Sequence, residues 1–169
     1  MGEPFGNKDD FDKLLQKFVE DANLYGYKPI FYEVSQDETI KLHDFGFSFI
    51  KFGETASLDL KNFNLEGREH KSQRNALSKF DKLGYTFEVI KPPFDDEFFD
   101  SLEKISDDWL DGKREKGFSL GYFNRAYLKL CDIAVARNAN GKILAFANIM
   151  PNPNNTWATI DLMRFERKN

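Results

Sequence analysis

The chain has 169 residues, 41% hydrophobic and 31% charged, with a formal net charge of −4. This suits a globular chain of one domain, or one domain plus part of a second. It excludes a polycation that holds phosphates over its whole surface, so any such contact must come from a local patch.

The single cysteine, Cys131, rules out an internal disulfide and a cysteine-based metal cluster. Two isolated histidines, His43 and His70, offer little to zinc. No metal and no cofactor is therefore expected. No apolar run approaches the ~18–20 residues that span a bilayer, and the N-terminus lacks the apolar stretch of a signal peptide. The 18 Phe, six Tyr and two Trp supply an aromatic core, with some to spare for surface.

In chain order, Lys8 to Leu24 has apolar residues at three- and four-residue spacing, which predicts an amphipathic helix ended by Gly26. Pro29 to Val34 reads as a strand, and Ser35 to Leu42 as a short helix or turn. Phe45 to Phe52 and Thr55 to Leu60 read as two strands, the first alternating Phe45, Phe47 and Phe49 with smaller residues. Leu65 to Leu83 reads as a helix stopped by Gly84. Tyr85 to Ile90 is a strand, broken off by Pro92-Pro93. Asp95 to Leu110 is a second helix with Phe98, Leu102, Ile105 and Trp109 as its buried stripe. Arg125 to Leu130 is a short helix. Three strands follow, Asp132–Arg137, Lys142–Met150 and Trp157–Phe165, with a hairpin turn at Asn140-Gly141. The fold class is α/β (α+β), with helices interleaved among mostly adjacent strands.

Three constellations could carry chemistry. On the helix Leu65–Leu83, Arg68, Lys71, Arg74, Lys79 and Lys82 share an arc of roughly 140°. Such a face suits phosphates, and equally a solvated surface. The run Arg114–Phe123 mixes three charges, two glycines and three aromatics, a composition suited to lining something. Its R-x-x-G-x-S, from Arg114 to Ser119, misses the coenzyme A loop pattern at Ser119, where a small residue must let backbone amides approach phosphate. Third, Asp161 interrupts an apolar strand, where an unpaired carboxylate is costly. Strict alternation sends Asp161 and Arg164 to opposite faces; a bulge near Met163 would let them converge. A structural ion pair and a functional pair both stay open.

The runs L-D-L-K-N-F-N-L-E-G (58–67), K-S-Q-R-N-A (71–76), G-Y-T-F-E-V-I-K-P-P-F (84–94), I-S-D-D-W-L (105–110), G-K-R-E-K-G-F-S-L-G-Y-F (112–123), F-A-N-I-M-P (146–151) and I-D-L-M-R (160–164) resemble the cytosolic catalytic domain of bacterial aminoacyl-phosphatidylglycerol synthases. These are the phosphatidylglycerol lysyltransferases of the multiple-peptide-resistance family. The resemblance runs from about Gly2 to Arg164.

It implies two tandem acetyltransferase (GNAT)-like folds with a tunnel between them, behind a membrane-embedded part. In this chain the first unit would cover residues 1–118, and the opening strands of a second unit residues 119–169. The implied activity moves an aminoacyl group, commonly lysyl, from aminoacyl-tRNA to phosphatidylglycerol. This reduces the negative charge of the membrane and weakens binding of cationic antimicrobial peptides. The work would be done at the cytoplasmic face of the cell membrane.

Asp161 and Arg164 match the acidic and basic residues of the family's D-L-M-R and are the expected catalytic pair. Arg68, Lys71 and Arg74, with Arg114, Lys116 and Phe118, are the expected substrate-binding residues. The chain alone is expected to be inactive, and an open sheet edge would allow a homodimer. The alternatives are a non-catalytic tRNA- or phospholipid-binding module, and an aminoacyl transferase of peptidoglycan-branching type, which would carry a coiled-coil insertion.

Overall fold

The computed structural model describes residues 6–117 and 121–167. The chain divides into two compact units, residues 1–58 and 59–169.

In the first unit, a 3-10 turn at Lys8–Asp10 leads into α1 (Phe11–Leu24), and α2 (Gln36–Asp44) follows. Phe11, Leu15 and Leu42 are buried together, with Val19, Phe31, Val34, Phe45 and Phe47 packed against them. The strands expected at Pro29–Val34, Phe45–Phe52 and Thr55–Leu60 are not strands. Their aromatic residues are used differently. Phe31 meets Phe47 edge to face at 5.1 Å between ring centroids, and Phe18 at 5.8 Å. Phe45 and Phe47 thus join a small aromatic cluster on two helices while Phe49 stays exposed, without the several paired strands a stable sheet requires.

The second unit is built on α3 (Lys71–Lys82), α4 (Asp96–Leu110), α5 (Arg125–Leu128) and five strands: β1 (Thr86–Ile90), β2 (Asp132–Arg137), β3 (Ile143–Pro151), β4 (Ala158–Thr159) and β5 (Met163–Phe165). It is a mixed α/β unit with an antiparallel sheet in the order β1-β2-β3-β4, and β5 also pairs with β3. β1 precedes residue 118 and the other strands follow it, yet all five share this sheet.

α4 begins at Asp95, whose carboxylate accepts from the Phe98 amide at 2.7 Å, and ends at Asp111 in the left-handed conformation. It buries Phe99, Leu102 and Ile105 against Ile133, Val135, Phe146 and Leu162 of the sheet segments, with Leu128 of α5. The buried stripe therefore centres on Phe99 where Phe98 was expected. Phe98 stacks on Phe94 at the margin. Strand alternation turns Ala134, Ala136, Ala145 and Ala147 away from α4. α5 is tied to α4 by Arg125, which pairs with Asp100 at 2.7 Å and with Glu103.

Two expectations in this unit are corrected. The helix expected from Leu65 begins at Lys71. Gly67, at φ +86°, breaks the preceding turn, and the Asn64 side chain accepts from the Glu66 amide at 2.9 Å. The strand expected over Trp157–Phe165 is two strands separated by Ile160–Leu162. Its interruption forms the centre of the candidate site.

Candidate functional site

The interruption lies against Asn148. That residue lies in the middle of β3 and is fully buried, an amide among apolar residues. A buried amide must find partners. Its Oδ1 accepts from the backbone amides of Leu162 at 3.0 Å and Asp161 at 3.3 Å. Those amides therefore do not enter a regular ladder with β3, although the Asn148 amide still donates to the Leu162 carbonyl at 3.1 Å. The Nδ2 group donates to Asp161 Oδ1 at 2.5 Å and to the Tyr127 hydroxyl at 3.1 Å. Every polar position of the side chain is occupied.

Asp161 is exposed, with a neutral donor on each carboxylate oxygen. The Tyr127 hydroxyl donates to Oδ2 at 2.8 Å, opposite the Asn148 contact. Tyr127 is placed by α5, whose Asn124 cap accepts from the Tyr127 amide at 3.0 Å. Met150 Sδ lies 2.7 Å from the same hydroxyl. Burial, then the hydrogen bond to Asp161, pushes the Tyr127 phenol up to about 12, so at neutral pH it is a proton donor to the carboxylate and not a base. Cys131, beside this network, has its thiol pushed up by burial, which disfavours thiolate chemistry. Gly121 closes the near side. A Cβ there would lie 2.7 Å from the Asp161 carbonyl oxygen and 2.8 Å from Oδ2, so the backbone approaches as only glycine permits.

Arg164 sits three residues on in a different setting. It is 7% exposed. Its guanidinium stacks 4.0 Å from the Trp109 ring and pairs with Glu115 Oε2 at 3.1 Å. A further guanidinium nitrogen donates to the Met163 carbonyl at 3.2 Å, and its Nε has no partner among the described residues. The other Glu115 oxygen accepts from the Phe123 amide at 3.2 Å. Asp161 and Arg164 hence bond to separate partners, but each lies against a residue of the same chain segment. Glu115 holds Arg164, and Gly121 presses on Asp161.

Other expected residues fall elsewhere. Arg114 and Lys116 flank Glu115 in the chain, and Lys116 is exposed. Phe118 lies outside the described residues, as does Ser119. The five-cation helix face is corrected. Arg68 lies in the turn before α3 and is not part of its face. Arg74 turns back onto that turn, donating to the carbonyls of Leu65 and, at 2.7 Å, Gly67, and so organises the loop. Lys71, Lys79 and Lys82 stay exposed on a helix with no buried residue.

Sequence reasoning missed Asn148, Tyr127, Glu115 and Gly121 as site residues. Asn148 carried a signal, a lone amide inside the apolar run I-L-A-F-A-N-I-M. Glu115 and Gly121 lie in the run Arg114–Phe123, expected to line something but not singled out within it; Tyr127 becomes relevant only once α5 meets Asp161 in space.

The sequence matches the family described as phosphatidylglycerol lysyltransferase, C-terminal, over residues 1–169. It is 41% identical over 165 residues to the phosphatidylglycerol lysyltransferase of Bacillus subtilis, covering 98% of this chain and 19% of that protein. It is 42% identical to the Staphylococcus epidermidis protein of the same name, covering 98% of this chain and 20% of that one. Among solved structures, L-PGS from Bacillus licheniformis superposes with a TM-score of 0.89 at 42% identity, over 99% of this chain and 54% of that chain. The C-terminal domain of an Agrobacterium fabrum protein named for lysylphosphatidylglycerol synthetase superposes with a TM-score of 0.87 at 39% identity, with the same coverages. The chain thus spans about a fifth of the curated relatives and about half of the solved chains. It belongs to the phosphatidylglycerol lysyltransferase C-terminal family.

Proposed function

We propose that this chain is part of the catalytic domain of an aminoacyltransferase that carries an aminoacyl group, lysyl in the first instance, from aminoacyl-tRNA to phosphatidylglycerol. The observation that carries the reading is the exposed Asp161 carboxylate, fixed on both oxygens by Tyr127 and Asn148 in a chain of this family.

The chemistry is ester exchange. A glycerol hydroxyl oxygen bonds to the aminoacyl carbonyl carbon, the bond from that carbon to the ribose oxygen breaks, and the hydroxyl proton ends on the ribose oxygen. The two donors on Asp161 are neutral, so its negative charge is not cancelled. Such a carboxylate can orient an incoming hydroxyl or hold the aminoacyl ammonium, and fixed placement is where most of its effect lies. Arg164 is held by Trp109 and Glu115 within a few residues of Asp161, where a guanidinium suits a phosphate or a developing oxyanion. The exposed lysines of α3 suit the phosphates of tRNA or of a lipid surface.

In this reading the chain belongs to a larger protein working at the cytoplasmic face of the membrane, with residues 1–118 assigned to its first acetyltransferase-like unit and residues 119–169 to the opening of the second, the two sharing the sheet through β1. Among the described residues no helix is long and apolar enough to cross a membrane. The test is lipid extraction after incubating the full-length protein with radiolabelled lysyl-tRNA and phosphatidylglycerol vesicles. Label in a lysyl-lipid is expected. Binding of tRNA or vesicles with no labelled lipid, for lysyl and for alanyl donors, would replace the enzyme reading with a binding module.

A further inference from the structure

The described site leaves one buried polar residue without a role in the reaction, Asn148. We infer that Asn148 is the positioning residue of this site: it breaks the edge strand at Ile160–Leu162 and thereby fixes where the Asp161 carboxylate stands. The inference rests on the aminoacyl-transfer reading for its effect on rate, and on geometry alone for its effect on structure.

The side chain does two separable things. Its oxygen captures the amides of Asp161 and Leu162, at 3.3 and 3.0 Å, and so shapes the backbone. Its nitrogen grips the Asp161 carboxylate at 2.5 Å and the Tyr127 hydroxyl at 3.1 Å, and so aims the side chain. An apolar residue at this point of β3 would leave two backbone amides and one carboxylate without these partners. A regular strand through Ile160–Leu162 would by alternation turn Asp161 to the face opposite Leu162 and Arg164. The amide draws the carboxylate back toward Tyr127 instead. Asn148 touches no substrate; it acts through Asp161.

Asn148→Asp separates the two tasks. It keeps an oxygen for the backbone amides and replaces the donor with a second carboxyl beside Asp161. Titratable groups around this position are Asp161 from the strand break, Tyr127 from α5, and Cys131 after α5. Two carboxyls this close share a proton that is held above the ordinary carboxylate range. While the introduced carboxyl is protonated it can donate to Asp161; once ionised it repels it.

In the full-length protein, kcat of Asn148→Asp relative to wild type should fall roughly 10–100-fold at pH 8.5 and recover severalfold at pH 6, with KM for lysyl-tRNA within about twofold. Hydrogen exchange by mass spectrometry over residues 158–165 supplies the second arm. Asn148→Ala should speed exchange there about tenfold or more, and Asn148→Asp should not. A relative kcat near one, or a loss of equal size at both pH values, overturns the positioning role while the transfer reading stands. If wild type makes no aminoacyl-lipid, the transfer reading fails. The exchange arm then decides alone: unchanged exchange in Asn148→Ala overturns the inference, and faster exchange upholds it.

Discussion

The exposed face of α3 and the broken strand at Ile160–Leu162 both carry charge, but hold it in opposite ways. Lys71, Lys79 and Lys82 project from a helix with no buried residue, and Arg74 of the same helix spends its guanidinium on loop carbonyls. Around the break, Asp161 has a donor on each oxygen, and Arg164 has a ring on one face and a carboxylate at its edge. Charges of the first kind serve a partner whose exact placement matters little, such as a phosphate chain. Charges of the second kind serve a reaction in which an error of ~1 Å can cost about 10²-fold. The comparison predicts that substitutions at the break change rate, and that substitutions on α3 change affinity and its salt dependence.

The largest expected effect among the surrounding positions comes from Gly121→Ala. The added methyl meets the Asp161 carbonyl and carboxylate, so one of them must move. Transfer should fall about 10²-fold, with folding kept as judged by circular dichroism. Activity near wild type would mean that Asp161 tolerates displacement. Next is Glu115→Gln, which leaves the buried Arg164 with a neutral partner. The Glu115 side chain is 27% exposed, which moderates the cost to about 1–3 kcal/mol in urea unfolding, with a smaller loss of rate. No change in the midpoint would mean that Trp109 alone holds the guanidinium.

Tyr127 gives a pH signature. Its folded value lies above its unfolded value of 10.0, so the folded state keeps a proton that the unfolded state releases. Its contribution is intact below pH 10 and is lost as pH rises through about 12. The stability difference between wild type and Tyr127→Phe should therefore shift against wild type between pH 10 and pH 12, measured by denaturant unfolding. A difference constant with pH would contradict the Asp161 contact. The smallest effect belongs to Lys79→Glu with Lys82→Glu, where stability should stay within about 0.5 kcal/mol. KM for tRNA should rise severalfold and lose part of its salt dependence; an unchanged KM makes α3 an ordinary solvated face.

The second unit was legible because its strands and α4 carry their own periodic signals. β2 falls on the expected residues, and the buried stripe of α4 differs at two of its four expected positions: Phe99 replaces Phe98, and Trp109 is only half-buried, its ring taken up by Arg164. The first unit was misread for a physical reason. Alternating phenylalanines at 45, 47 and 49 look like a strand, but an aromatic cluster takes Phe45 and Phe47 as well as a ladder would, and Phe49 is left exposed. α3 starts later than the expected Leu65 because Gly67, at φ +86°, takes a backbone conformation that a helix does not continue through. At the site, Asp161 and Arg164 stood out as charges inside a strand. Their partners did not, because Glu115, Gly121, Tyr127 and Asn148 are brought to them only by tertiary pairing. The possibility of a bulge was visible; the amide it lies against, one strand away, required the register of β3.

The most direct test is Asp161→Ala in the full-length protein, assayed for lysyl transfer to phosphatidylglycerol beside a measurement of its unfolding midpoint. A loss of about 10²–10⁴-fold in kcat is predicted, in a protein that still folds and still binds tRNA. Transfer at the wild-type rate by that folded variant would contradict a catalytic role for the carboxylate.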